Sequence, residues 1–128
     1  MPTEAALHIQ VAAFLRVALK PPTIWTTIGH GGGGKVRGAR LKAMGVAKGW
    51  PDLLVMSLVG GNGGPRFAVV GLELKAKGGR QSAEQLEVER AFFRCGAHYI
   101  LCRSVEEVES ALRWCKVPLH ATTMRAAA

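Results

Sequence analysis

Apolar positions along the chain change period several times, and each change marks an element. Between Thr3 and Leu19, the residues Leu7, Val11, Phe14, Leu15 and Ala18 recur at three- and four-residue spacing. That spacing predicts a helix capped by Thr3 and stopped by Pro21-Pro22. Thr23 to Ile28 (TIWTTI) reads as a short strand. Two longer β-rich runs, Leu53 to Val59 and Phe67 to Leu74, flank the breaker cluster Gly60-Gly61-Asn62-Gly63-Gly64-Pro65 and predict a hairpin. A short helix over about Ala39 to Met44, ended by Gly45, precedes it. After the hairpin, Ser82 and Gln85 have capping-box spacing and open a helix carried by Leu86, Glu89, Phe92 and Phe93 to Gly96. Ala97 to Cys102 (AHYILC) is a buried strand. Ser104 and Glu107 open a last helix with Val105, Val108, Leu112 and Cys115 on its core face. Strands interleaved with helices in this order predict one α/β domain, a mixed four-stranded sheet flanked by helices.

Composition sharpens this picture through charge. The 128 residues carry a net charge of +8, and the excess is unevenly placed. Residues 1–83 hold eleven Lys or Arg but only three acids, Glu4, Asp52 and Glu73, whereas residues 84–128 hold six of each sign. A basic surface of this kind predicts a polyanionic partner, most simply nucleic acid. No apolar run reaches the length of a membrane span, and Met1-Pro2-Thr3-Glu4 does not begin a signal peptide, so a cytoplasmic protein with no membrane partner is expected. Cys95, Cys102 and Cys115 lack metal-ligand spacing and sit in apolar patterns, as reduced core thiols would.

The isolated acids are the candidate chemistry. If the hairpin folds about the Asn62–Gly63 peptide, Asp52 falls opposite Glu73, with Cβ atoms roughly 5 Å apart on one face. Lys75 shares that face, while Val70, Leu72 and Leu74 point into the core. Two facing carboxylates repel, and a hard divalent cation removes the repulsion. A solvated hairpin face with unrelated charges is the competing reading. Glu4 lies at the edge of the first helix's apolar stripe, where it either balances the helix dipole or reaches toward the same site.

The densest basic segment, Lys35, Arg37, Arg40, Lys42 and Lys48, contains no acid and is the candidate nucleic-acid contact, with His30, Lys77 and Arg80 as further candidates. Gly29 to Lys35 fits the phosphate-loop pattern GxxxxGK, but Val36 stands where a Ser or Thr would hold Mg²⁺. No nucleotide cofactor is expected, and the loop is read as approaching a nucleic-acid phosphate.

These residues resemble a known pattern. Pro51-Asp52 followed by Glu73-Leu74-Lys75 resembles the PD…ExK signature of the restriction-endonuclease-like superfamily, and the predicted order is similar to its αβββαβ core. More closely, "EAALHIQ", "LKAMGVAKGWPDLLV" and "GLELKAKGGRQSAEQ" resemble the VRR-NUC family of small nucleases. The resemblance implies a nuclease domain over residues 1–116, with 117–128 as an extension or tail. It implies that Asp52, Glu73 and the Leu74 carbonyl bind Mg²⁺ or Mn²⁺, with Glu4 a candidate further ligand. Lys75 would orient or activate the attacking water, and Gln85 would support the site. The implied activity is a structure-selective DNA endonuclease similar to Holliday-junction-resolving enzymes, acting on branched DNA as a homodimer, of phage or bacterial type. The alternative is a non-catalytic DNA-binding module with the same fold.

Overall fold

The computed structural model describes residues 2–28 and 35–120, apart from the Lys35 side chain. The elements are α1 (Glu4–Ala18), β1 (Ile24–Thr27), α2 (Lys35–Ala43), β2 (Leu53–Val59), β3 (Arg66–Leu74), α3 (Ala83–Arg94), β4 (His98–Cys102) and α4 (Val105–Trp114). The four strands form one sheet in the order β1-β2-β3-β4. The first three make an antiparallel meander, and β4 joins β3 in parallel after the α3 crossover.

Local chemistry starts the helices where the sequence indicates. Thr3 Oγ1 accepts from the Ala6 N–H, Ser82 forms a complete capping box with Gln85, and Ser104 Oγ accepts from the Glu107 N–H. Helix α2 begins a turn earlier than expected, at Lys35, and runs to Ala43. Its pattern is weak because Gly38 interrupts it and its apolar positions are few. Val36 is largely exposed.

The core lies on one face of the sheet. Leu53, Val55 and Val59 of β2, Val70, Leu72 and Leu74 of β3, and Cys102 of β4 pack with Leu7, Val11 and Leu15 of α1 and Val108 and Leu112 of α4. Helix α3 covers the opposite face of β3 and β4 through Phe92, whose ring meets Trp50 and Tyr99 edge-on. Strand β3 is therefore covered on both sides from Val70 onward, and its last five residues are all buried. Gly71 makes the second layer possible, because a Cβ there would lie 2.6 Å from Pro51 Cγ and 3.0 Å from Phe92 Cε2.

The hairpin register pairs Leu53 with Leu72 and Val59 with Arg66, a fold about the Asn62–Gly63 peptide. Asp52, one residue ahead of β2, thus arrives beside Glu73.

Three further expectations change. Cys102 and Cys115 are buried, and burial pushes their thiols up to about 12 and about 11, but Cys95 is exposed at the end of α3. Phe93 is 83% exposed because the helix turns Phe92 inward instead. Val117 to His120, expected as the start of a tail, pack onto the domain. Lys116 takes φ +66, its N–H bonds the Arg113 carbonyl and the Val117 N–H bonds the Leu112 carbonyl, so α4 closes in a Schellman motif. Val117 is then buried in the core, Leu119 bridges to Leu19, and the His120 N–H reaches the Ala18 carbonyl at 2.6 Å.

Gly71→Ala is expected to destabilise the fold by about 1–3 kcal/mol, since the added methyl meets a buried proline and an aromatic ring that cannot both yield. Chemical denaturation measures it; an unchanged midpoint would contradict this packing.

Candidate active site

Glu73 sits at the end of the central strand with its residue surface only 2% exposed. A carboxylate placed there must find partners within the protein. Gln85 Nε2 donates to Glu73 Oε2 at 2.8 Å, and Lys75 Nζ lies 3.4 Å from the same oxygen. The Tyr99 hydroxyl is 3.3 Å from Oε1. Burial and the nearby Asp52 charge raise the Glu73 carboxyl to about 7, against the opposing pull of Lys75. Burial and the Glu73 charge push the Tyr99 hydroxyl up as well, so it remains a protonated donor.

Asp52 is half-buried and held from the other strand. Its Oδ2 accepts the Leu74 N–H at 2.7 Å, and its own carbonyl accepts the Ile28 N–H at 2.8 Å. A strand residue directs its N–H and C=O to the same side, so the Leu74 carbonyl lies on the β2 side of β3. The Leu74 side chain itself is in the core. The Lys75 N–H turns the other way, to the Cys102 carbonyl at 3.1 Å.

Gln85 performs both tasks expected of it. Its Oε1 accepts the Ser82 N–H at 2.8 Å and completes the capping box, while its Nε2 donates to Glu73. A side-chain amide has a donor end and an acceptor end, so helix capping and carboxylate support are compatible. Gly49 seats α3 against the site: a Cβ there would overlap the Glu84 carbonyl. Glu4 is brought to Lys75, with Oε1 3.9 Å from Nζ, and its side chain is 55% exposed. Among the described residues, no set of three or more His, Cys, Asp and Glu groups is placed to hold a metal. The structure thus gathers Asp52, Glu73, Lys75 and Gln85 closely, with Glu4 at the margin.

Whether a divalent cation suits this donor set follows from the same observations. Mg²⁺ takes one or two carboxylates and completes its shell with water and phosphate, whereas zinc sites gather three or four protein ligands. Two mutually repelling carboxylates, a backbone carbonyl on the β2 side of β3 and, among the described residues, no thiol or imidazole in the cluster fit Mg²⁺ or Mn²⁺.

The described basic candidates lie on the surface. Arg37, Arg40 and Lys42 are exposed on α2, Lys48 is exposed ahead of Trp50, and Lys77 and Arg80 are exposed on the loop that follows Lys75. Arg103 Nη1 donates to the Ala76 carbonyl at 2.9 Å and pins that loop. His30 and the Lys35 side chain lie outside the described residues, as does the expected phosphate-approaching loop. Trp50 packs edge-on against Phe92, as a packing anchor would, yet remains 44% exposed.

Sequence reasoning missed Tyr99 and Arg103. Tyr99 is a polar-tipped residue in an otherwise apolar strand, which is a signal, but its target depends on the parallel pairing of Gly71 with Tyr99 across β3 and β4. No local pattern encodes that register.

No family model matches this chain, and no curated protein matches it. Among solved structures, the chain is similar to one described as a "VRR_NUC domain protein", with a TM-score of 0.58 and 17% identity, covering 88% of this chain and 86% of that one. At that identity the likeness establishes the fold, and the mixed sheet flanked by helices is that of the restriction-endonuclease-like class. No helix among the described residues is long and apolar enough to cross a membrane.

Because Glu73 is harder to ionise folded than unfolded, the native state holds a proton that the unfolded chain releases at lower pH. Metal-free stability from this group is therefore full below about 4.5 and lost as pH rises toward 7, by up to about 3 kcal/mol. Thermal unfolding in EDTA should show a decline across that window that Glu73→Gln flattens; an equally steep decline in the variant would contradict it.

Proposed function

We propose that this chain is a divalent-metal-dependent DNA endonuclease. The observation that carries the reading is the meeting of Asp52 and Glu73 from two strands at one end of the sheet, with Lys75 3.4 Å from Glu73, in a fold shared with a VRR_NUC domain protein. Asp52, Glu73 and the Leu74 carbonyl would hold Mg²⁺ or Mn²⁺, with Glu4 as a further candidate. When bound, such a cation supplies Lewis-acid charge to the scissile phosphate and the attacking water. Gln85 holds the Glu73 carboxylate in orientation. Lys75 is a compact point charge whose ammonium offers donors to the phosphate oxygens as negative charge builds on them.

The exposed basic residues of α2 and of the 77–80 loop would attract the phosphate backbone and leave the carboxylates to the cation. We further propose a branched DNA substrate, cut as a homodimer, since cleaving two strands calls for two centres related by symmetry.

Incubation of branched and linear DNA with Mg²⁺, Mn²⁺ or EDTA tests the reading. Metal-dependent cleavage is expected; retention of DNA without cleavage of any substrate would instead establish the non-catalytic DNA-binding module. Asp52→Ala, Glu73→Ala and Lys75→Ala should each lower cleavage by about 100-fold or more. Removing either acid should leave DNA affinity equal or tighter, because a negative charge leaves a basic surface. Full activity in one of these variants would remove that residue from the mechanism.

Binding should also depend steeply on salt. Replacing Arg37, Arg40 and Lys42 with Ala should flatten the plot of log affinity against log salt by about 0.9 per lost phosphate contact. An unchanged slope would place the contact surface elsewhere.

A further inference from the structure

We propose that Tyr99 is a positioning residue that sets the placement of Glu73 relative to the segment carrying Asp52. The inference rests on the reading of those two carboxylates as a metal-binding pair.

The Tyr99 hydroxyl stands between two acceptors, 3.0 Å from the Gly49 carbonyl oxygen and 3.3 Å from Glu73 Oε1. A hydroxyl has one hydrogen, and neither a backbone carbonyl nor an ionised carboxylate can donate one back. With Glu73 ionised, as it must be to hold a cation, both acceptors compete for a single proton. The other Glu73 oxygen faces no such shortage, because Oε2 has the Gln85 amide at 2.8 Å and the Lys75 ammonium at 3.4 Å. Oε1 is the oxygen with capacity left for a cation. A cation satisfying Oε1 would free the hydroxyl for Gly49.

Both ends of this bridge are rigid. Gly49 has φ +94 and is wedged against the first turn of α3, and Pro51 beyond it is buried. The Tyr99 ring is held edge-on by Phe92, with centroids 5.5 Å apart. One hydroxyl thus ties the turn leading into Asp52 to the strand end bearing Glu73. Side chains that orient metal ligands without touching the metal act in this way, and losing one typically lowers metal affinity by about tenfold or more. The competing account is that Tyr99 merely satisfies a half-buried carbonyl and fills space beside Phe92.

Calorimetric titration with Mn²⁺, without DNA, separates the two. Tyr99→Phe keeps the ring and its stacking and removes the hydroxyl. Its Mn²⁺ affinity is expected to fall about tenfold below wild type. Ser57→Ala, which removes a hydrogen bond to Thr23 on the core face of β2, is expected to lower thermal stability and leave Mn²⁺ affinity unchanged. The chain contains one tyrosine, so 3-fluorotyrosine labelling gives a single ¹⁹F resonance that reports this hydroxyl. That resonance should move as Mg²⁺ is added and level off at saturation, and it carries the test alone if Tyr99→Phe fails to fold. Wild-type affinity in Tyr99→Phe, or a resonance unmoved by Mg²⁺ that calorimetry shows to be bound, overturns the inference while sparing the metal reading. A wild-type protein that binds neither ion overturns both.

Discussion

A carboxylate nearly stripped of water at the end of the central strand is the constraint on which this structure depends. Glu73 is buried because β3 must be covered on both faces, by α1 and α4 on one side and by Phe92 with Pro51 on the other. The hydrophobic driving force that builds the core therefore also removes solvent from the acid. What compensates is a set of partners from different parts of the chain: Gln85 from α3, Lys75 from the end of β3 and Tyr99 from β4. Asp52 works against them, adding a second negative charge where one is already hard to hold.

Several groups join the packing of the domain to the chemistry of the site. Gln85 caps a helix and supports a carboxylate with opposite ends of one amide. Gly49 and Gly71 let backbone and rings approach closely enough that α3 sits against the sheet. Arg103 anchors the loop that begins at Lys75 and carries Lys77 and Arg80. Such sharing means that the site's geometry is set by elements whose positions the core already determines, which is how a small domain can hold charged groups in register.

The electrostatic layout has the same origin. Positive charge lies on exposed helical and loop surface, where it costs little, and the acids of the first part of the chain are drawn to one place. Glu4 departs from that picture, since it remains at the surface beside Lys75 and joins the carboxylates only through it. A helix N-terminus can carry an acid near a site without burying it, and here Thr3, Glu4 and Ala5 are all exposed.

By itself the sequence determined the local and periodic features: the capped helix starts, the hairpin and its register, and the pairing of Asp52 with Glu73 on one face. These follow from side-chain period and turn composition, which act over a few residues. The burial of Leu7, Val11, Val70, Leu72 and Leu74 followed from the same periods. Tertiary structure alone decided that Tyr99 meets Glu73, that Arg103 holds the Ala76 loop, and that Glu4 stays exposed. It also decided that Val117 to His120 close onto α1 rather than trail away. Those contacts depend on the parallel register of β4 and on how far each helix is displaced along the sheet. Crossover geometry and packing of distant side chains set both, and no repeat or motif along the chain records them.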